Sequence, residues 1–353
     1  PAKSARLDAP RDVDVANDCT IYIADTGNDR IRKVGCDGII TTVVGGGSDP
    51  GDGVLALDAE LNEPRGVTVG PDGAIYIADW FNPVINHYQV SLRHPHRDYD
   101  HGRIWKLSAK DRPPAKAPQL VDRSPGELFE HLRSTERWTR DQARQRLIDA
   151  DPDSLGPALV EWSERLDPES PKDCQPLVEA AGILESHGMV SPKLLDQLQS
   201  SVEPRVRALV ARIIARALDP ISEADERLAI LLKDPHPRPR LEAIIACANR
   251  PHADSLPLAL SALELETDKN IDYALAQAVH ALGDHWIPAL KAGELTFFKP
   301  EHLAFALDAV GGETAAVFAR TAVDDADLPA SARRAVLLIL TRNGSADDLR
   351  RLL

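Results

Sequence analysis

The chain has 353 residues, in which 55 Asp and Glu outweigh 41 Lys and Arg to give a formal charge of −14 at pH 7. One core rarely extends past roughly 250 residues, so two domains are expected. The acidic balance excludes a nucleic-acid binder that tracks phosphates, because that surface needs clustered cations to displace counterions; no window holds the ~18 consecutive apolar residues of a membrane helix. The chain opens at Pro1 without an initiator Met or a signal segment, and we expect it to be an excerpt or a processed form.

Residues 7–26 (LDAPRDVDVANDCTIYIADT) recur fifty-four residues later as 61–80 (LNEPRGVTVGPDGAIYIADW), with the whole IYIAD block coinciding. One supersecondary unit is reused. In each copy two short β-prone runs, Val13/Val15 and Ile21–Ile23 in the first, flank a turn written AND or GPDG. A third strand over Arg30–Val34 follows DTGND, and a fourth lies within residues 38–44 (GIITTVV). The unit is therefore expected to be a four-stranded antiparallel meander, which is how a propeller blade is built. Pairing across DTGND brings Cys19 and Cys36 to nearly opposing ends of that hairpin, and a Cys19–Cys36 disulfide is expected in an oxidising compartment. Cys174 and Cys247 fall in helical runs and read as small core residues.

Residues 45–53 (GGGSDPGDG) lack the alternating ligands and final Glu of a calcium loop and the Gly-Lys-Ser/Thr of a phosphate loop. They read as a solvated turn. Residues 79–106, by contrast, place four histidines and three arginines in one run where the repeat breaks. One reading is a polar constellation in which a His acts as general base toward a sugar hydroxyl and an Arg holds a carboxylate or an anionic quinone. The other is a plug in which Arg97, Asp98 and Arg103 pair to anchor a long loop. His94-Pro95-His96 with His101 also has the close imidazole spacing of a transition-metal site, a reading we set below the other two. The aromatics Trp80, Phe81, Tyr88, Tyr99 and Trp105 suit packing or sugar stacking.

Residues 109–124 are rich in Pro and charge and mark a linker. Beyond them, apolar residues recur three or four apart, as in Leu128/Leu132, Leu209/Ile213 and Leu303/Leu307/Val310, and Asp-Pro, Ser-Pro and Glu-Pro pairs precede new runs. An Arg-x-x-Ala/Val element at Arg140, Arg207, Arg240 and Arg333 points to a helical array of stacked pairs.

Two resemblances follow from these residues. The run IYIADTGNDRIRKVGCDGIITTVVGGG with GDGVLALDAELNEPRGV resembles NHL-repeat β-propellers, of which about two blades are present where closure needs at least four. Residues 79–107 (DWFNPVINHYQVSLRHPHRDYDHGRIWKL) and 270–311 are similar to a membrane-bound dehydrogenase family of planctomycetes and verrucomicrobia, in which helical repeats, and often a c-type haem domain, follow the propeller. The resemblance implies a mixed architecture: an NHL-like partial propeller over 1–108 with a closing loop at 80–106, the linker 109–124, and a HEAT-like α-solenoid over 125–353. It implies His87 and His101 as catalytic candidates and Arg93, Arg97, Asp98 and Arg103 as substrate or cofactor ligands. It implies further a periplasmic or otherwise extracytoplasmic sugar or alcohol dehydrogenase passing electrons to haem c, with missing blades and a haem domain as partners and an organic cofactor of unknown kind. No Cys-x-x-Cys-His occurs, so that haem lies outside this chain, and the segment alone is expected to be inactive. A non-catalytic scaffold for protein or carbohydrate is the alternative.

Overall fold

A computed structural model describes all residues except 81–92, 97, 99–100, 111–115, 218–220, 324–329 and 353. The chain forms two compact units, Pro1–Arg146 and Leu147–Leu353, so the first unit takes in the linker and the start of the helical region that the sequence assigned to the second.

The first unit holds two antiparallel sheets. Strands β1 (Asp12–Val15), β2 (Ile21–Asp25), β3 (Arg30–Val34) and β4 (Ile40–Val44) form the expected meander in the order β1-β2-β3-β4. Strands β5 (Gly66–Val69), β6 (Ile75–Asp79) and β7 (Arg103–Leu107) form a three-stranded sheet. The last strand corrects the sequence reading, which ran the loop to residue 106. Ile77 pairs with Trp105 and Ile75 with Leu107, the register in which Ile23 pairs with Arg32 and Ile21 with Val34. The copies RIRKV and RIWKL therefore occupy the same place, and the histidine-rich segment is an insertion at the turn that DTGND makes in the first sheet.

Side chains alternate across a strand, so each sheet has two faces. Ala24, Ile31 and Val44 of the first sheet are buried together with Val67, Ile75 and Ile77 of the second, joined by Ala59 and Leu61. The glycine-rich turn after β4 lets two backbones touch: Gly45 adopts φ +87, and a Cβ on Gly47 would run into the Asp58 carbonyl. Hydrogen bonds from Gly45 N to Ala56 O (2.9 Å) and Gly47 N to Ala59 O (3.3 Å) fasten it. Cys19 and Cys36 are both exposed free thiols, so the expected bridge is open in this structure, with Cys36 Sγ directed instead at the Asp18 carbonyl oxygen, 2.8 Å away.

Fifteen α-helices lie between Pro125 and Leu352 among the described residues, none long and apolar enough to cross a membrane. The Pro-containing pairs are helix starts as expected: Ser124, Asp151, Ser191 and Glu203 are N-caps whose side chains accept a backbone N–H, each followed by Pro at the first helical position. The recurring arginines have a structural task. Nη1 of Arg140, Arg207 and Arg240 donates at 2.8 Å to the carbonyl six residues earlier, on Ser134, Ser201 and Asp234 respectively, and so ties each helix to the turn that precedes it. Arg333 departs from this pattern and reaches the Val323 carbonyl at 3.3 Å.

Candidate functional site

Each IYIAD block ends in an aspartate that organises its sheet. Asp25 accepts the Asp8 backbone N–H at 2.8 Å, and Asp79 accepts that of Asn62 at 2.9 Å, the same place in the repeat. Each carboxylate also meets the matching side chain of the third strand: Arg32 at 3.4 Å from Asp25, and Trp105 Nε1 donating to Asp79 at 2.8 Å. Burial raises the Asp79 carboxyl above its ordinary value, against the hydrogen bonds from Trp105 and Asn62 that lower it. Sequence reasoning missed these aspartates as a pair, although their signal was present in the repetition of IYIAD.

The insertion after Asp79 brings two of the sequence candidates together. His101 Nδ1 lies 2.9 Å from the Asp98 carboxylate, whose Oδ1 also accepts the His101 backbone N–H at 3.0 Å. With Nδ1 facing the carboxylate, the imidazole ring is held in one orientation. The ring is 70% exposed. Arg103 lies on β7 opposite Asp79, with its guanidinium 5.1 Å from the Trp105 ring centre. His87 and Arg97, with Phe81, Tyr88 and Tyr99, lie outside the described residues. Arg93 is among the described residues and stays a candidate by resemblance. His94 and His96 meet edge to face at 5.2 Å, with His94 Nδ1 accepting the His96 backbone N–H at 3.2 Å.

A second feature joins the two sheets. Asp12 Oδ2 accepts the Val67 N–H at 2.9 Å, and Asp14 Oδ2 accepts the Val69 N–H at 2.8 Å and the Thr68 hydroxyl at 3.0 Å. Side-chain carboxylates thus satisfy the open N–H edge of β5 where a neighbouring strand would do so in a continuous sheet. The repeat has Gly66 and Thr68 at the places of Asp12 and Asp14, so the two copies differ where the first reaches across to the second. Around this seam lies a groove of about 730 Å³ walled by Asp14, Thr68, Asp72, Arg137 and Trp138. At one end of it Asp72 accepts from Lys106 Nζ (2.6 Å) and Tyr76 Oη (2.9 Å), and Lys106 holds its carboxyl down at about 2.

Comparison with known proteins places part of this region. A family described as a domain of unknown function (DUF7133) matches residues 54–111, which take in β5, β6, the insertion and β7. Teneurin-3 of Danio rerio is 40% identical over 78 residues, covering 18% of this chain and 3% of that protein. Teneurin-1 of Mus musculus is 31% identical over 91 residues, covering 22% of this chain and 3% of that protein. The chain thus spans about 3% of the length of these curated relatives. Two crystal structures of engineered proteins align with 62% and 64% of the chain and nearly all of their own, at 18% identity and TM-scores of 0.31 and 0.25.

Proposed function

We propose that this chain is the closing part of an NHL-like β-propeller followed by a HEAT-like solenoid, and that it serves a larger extracytoplasmic protein as an assembly and binding segment. The observation that carries this reading is a face of the first sheet. Val67, Ile75 and Ile77 are buried against the first sheet, yet one repeat earlier Val13 and its strand neighbour Val15 are 57% and 56% exposed, and Ile21 and Ile23 are only half-buried. The repeat itself describes what fits there: another blade presenting small and branched residues as Ala24, Ile31 and Val44 do. The missing blades of the same full-length protein are the partner we assign to it.

Arginine at Val13 and Val15 tests the assignment. On an open face the double variant of the 353-residue segment should stay within about 0.5 kcal/mol of wild type. In full-length protein, where another blade would bury both cations, the loss should be several kcal/mol. Equal stability changes in both forms, read by denaturant titration, would remove the assignment.

A dehydrogenase-like activity of the full-length protein is a second reading, favoured by the Asp98–His101 pair. His101 would take the proton of a sugar or alcohol hydroxyl while Asp98 steadies the resulting imidazolium, with His87 as the further candidate base and Arg93, Arg97 and Arg103 as anion ligands. A c-type haem would accept electrons, but this chain has no place for its covalent attachment, since its cysteines stand singly at 19, 36, 174 and 247. Dye reduction by full-length protein with a panel of sugars should fall at least a hundredfold in His101→Ala, a typical general-base contribution being about 10²–10⁴. Equal turnover in the variant would sink His101 as the base.

A further inference from the structure

We propose that Cys19 and Cys36 are a built oxidation site: a small-molecule disulfide converts them to an intrachain disulfide that ties the β1–β2 turn to the β3–β4 turn. The pairing of Ile21 with Val34 brings the residues just before β2 and just after β3 to one end of the sheet. There Cys36 Sγ lies 2.8 Å from the carbonyl oxygen of Asp18, the residue directly before Cys19. The sulfur therefore already stands within one residue of its partner's backbone. Both thiols are exposed and accessible to a reagent.

The repeat supplies an independent argument. Cys19 has φ +65, a left-handed conformation that a residue with a Cβ adopts at a cost, and the second copy fills this place with Gly73 at φ +73. Matching Val34 to Leu107, which pairs with Ile75 in the same way, puts Ala109 at the place of Cys36. One copy has glycine and alanine where the other has two cysteines. A cysteine in a position suited to glycine gains nothing from the turn itself, and its placement beside the other thiol gives it a use. The remaining cysteines are unlike these: Cys247 is fully buried, and burial pushes its thiol up to about 12, while Cys174 Sγ sits 3.5 Å from the Ser201 hydroxyl inside the helical region.

The chemistry balances as thiol–disulfide exchange. One cysteine thiolate attacks the reagent's disulfide, forming a mixed disulfide and releasing one thiol. The second cysteine thiolate then attacks the protein sulfur of that mixed disulfide and releases the other half of the reagent. Two protein thiols are oxidised, one reagent disulfide is reduced to two thiols, and the two protons end on those thiols.

The test treats the full chain with oxidised glutathione, quenches it with acid, and counts thiols in denaturant. Four should fall to two, and return to four with excess dithiol. Trypsin cuts after Arg11, Arg30, Lys33 and Arg65, so the expected product is residues 12–30 joined to residues 34–65. Cys19→Gly should abolish this product and leave Cys36 as a glutathione adduct, and in the reduced state it should raise the thermal midpoint, since it relieves the left-handed position. Four thiols surviving at equilibrium, glutathione adducts without the joined peptide, or a bridge to Cys174 or Cys247 would each overturn the proposal. The cross-link needs only the first sheet, so failure of the blade assignment leaves it standing.

Discussion

Asp79 takes two donors from distant parts of the chain, Trp105 Nε1 and the Asn62 N–H, and holds the entry of the histidine-rich insertion between them. Removing it leaves both donors without their acceptor, so Asp79→Ala should cost about 1–3 kcal/mol in denaturant titration. Asp79→Asn, which keeps an acceptor oxygen, should cost less. The pH dependence has a definite sign. Because the folded carboxyl is raised above its unfolded value, the folded state holds its proton more tightly. The associated stability is present at low pH and is lost as pH rises through the folded value. In the Asn variant that decline should disappear, and a variant with the same pH profile as wild type would show that Asp79 is not its source. The aspartate was legible in sequence as the last letter of a repeated block. Its partners were not, because a carboxylate's environment depends on a tryptophan 26 residues away.

At the scale of elements, the arginine that recurs through the helical region joins turn to helix and repeat to repeat. Arg207 grips both oxygens of Asp234, at 2.6 and 2.9 Å, as well as the Ser201 carbonyl. The opposing effect of burial on Asp234 is outweighed by the hydrogen bonds from Arg207 and the His236 N–H, which bring its carboxyl below the ordinary value. Its contribution is therefore full above that ordinary value and lost as pH falls through the folded one. Arg207→Ala strands a buried carboxylate and should cost about 3 kcal/mol at neutral pH, whereas Arg165→Ala, which removes an exposed pair with Glu161, should cost well under about 1 kcal/mol. Similar thermal midpoints for the two variants would contradict this account. Spacing revealed the recurrence at Arg140, Arg207 and Arg240, and the pairs of a polar residue with Pro revealed helix starts, since caps act within a few residues. Strand β7 escaped because its run RIWKL is separated from its partner by the insertion, although it echoes RIRKV.

For the molecule as a whole, the change from two-residue to helical periodicity near residue 109 announced a sheet region followed by a helical one, and the structure has both. The contact boundary nevertheless falls inside the helix Arg137–Ile148. Linker composition marks where the chain changes style, whereas compactness depends on which elements pack together. What the sequence by itself determined was local: the repeated unit, the helix starts, a glycine-rich turn after β4, and Asp98 and His101 as separate candidates within one short run. The tertiary structure decided which of two equivalent apolar faces is covered, that Asp12 and Asp14 cross to the N–H groups of the next sheet, and that Cys36 reaches the turn holding Cys19. Local preferences are carried by neighbouring residues and recur in both copies, while burial and carboxylate partners arise from segments that meet only on folding, where identical residues acquire different surroundings.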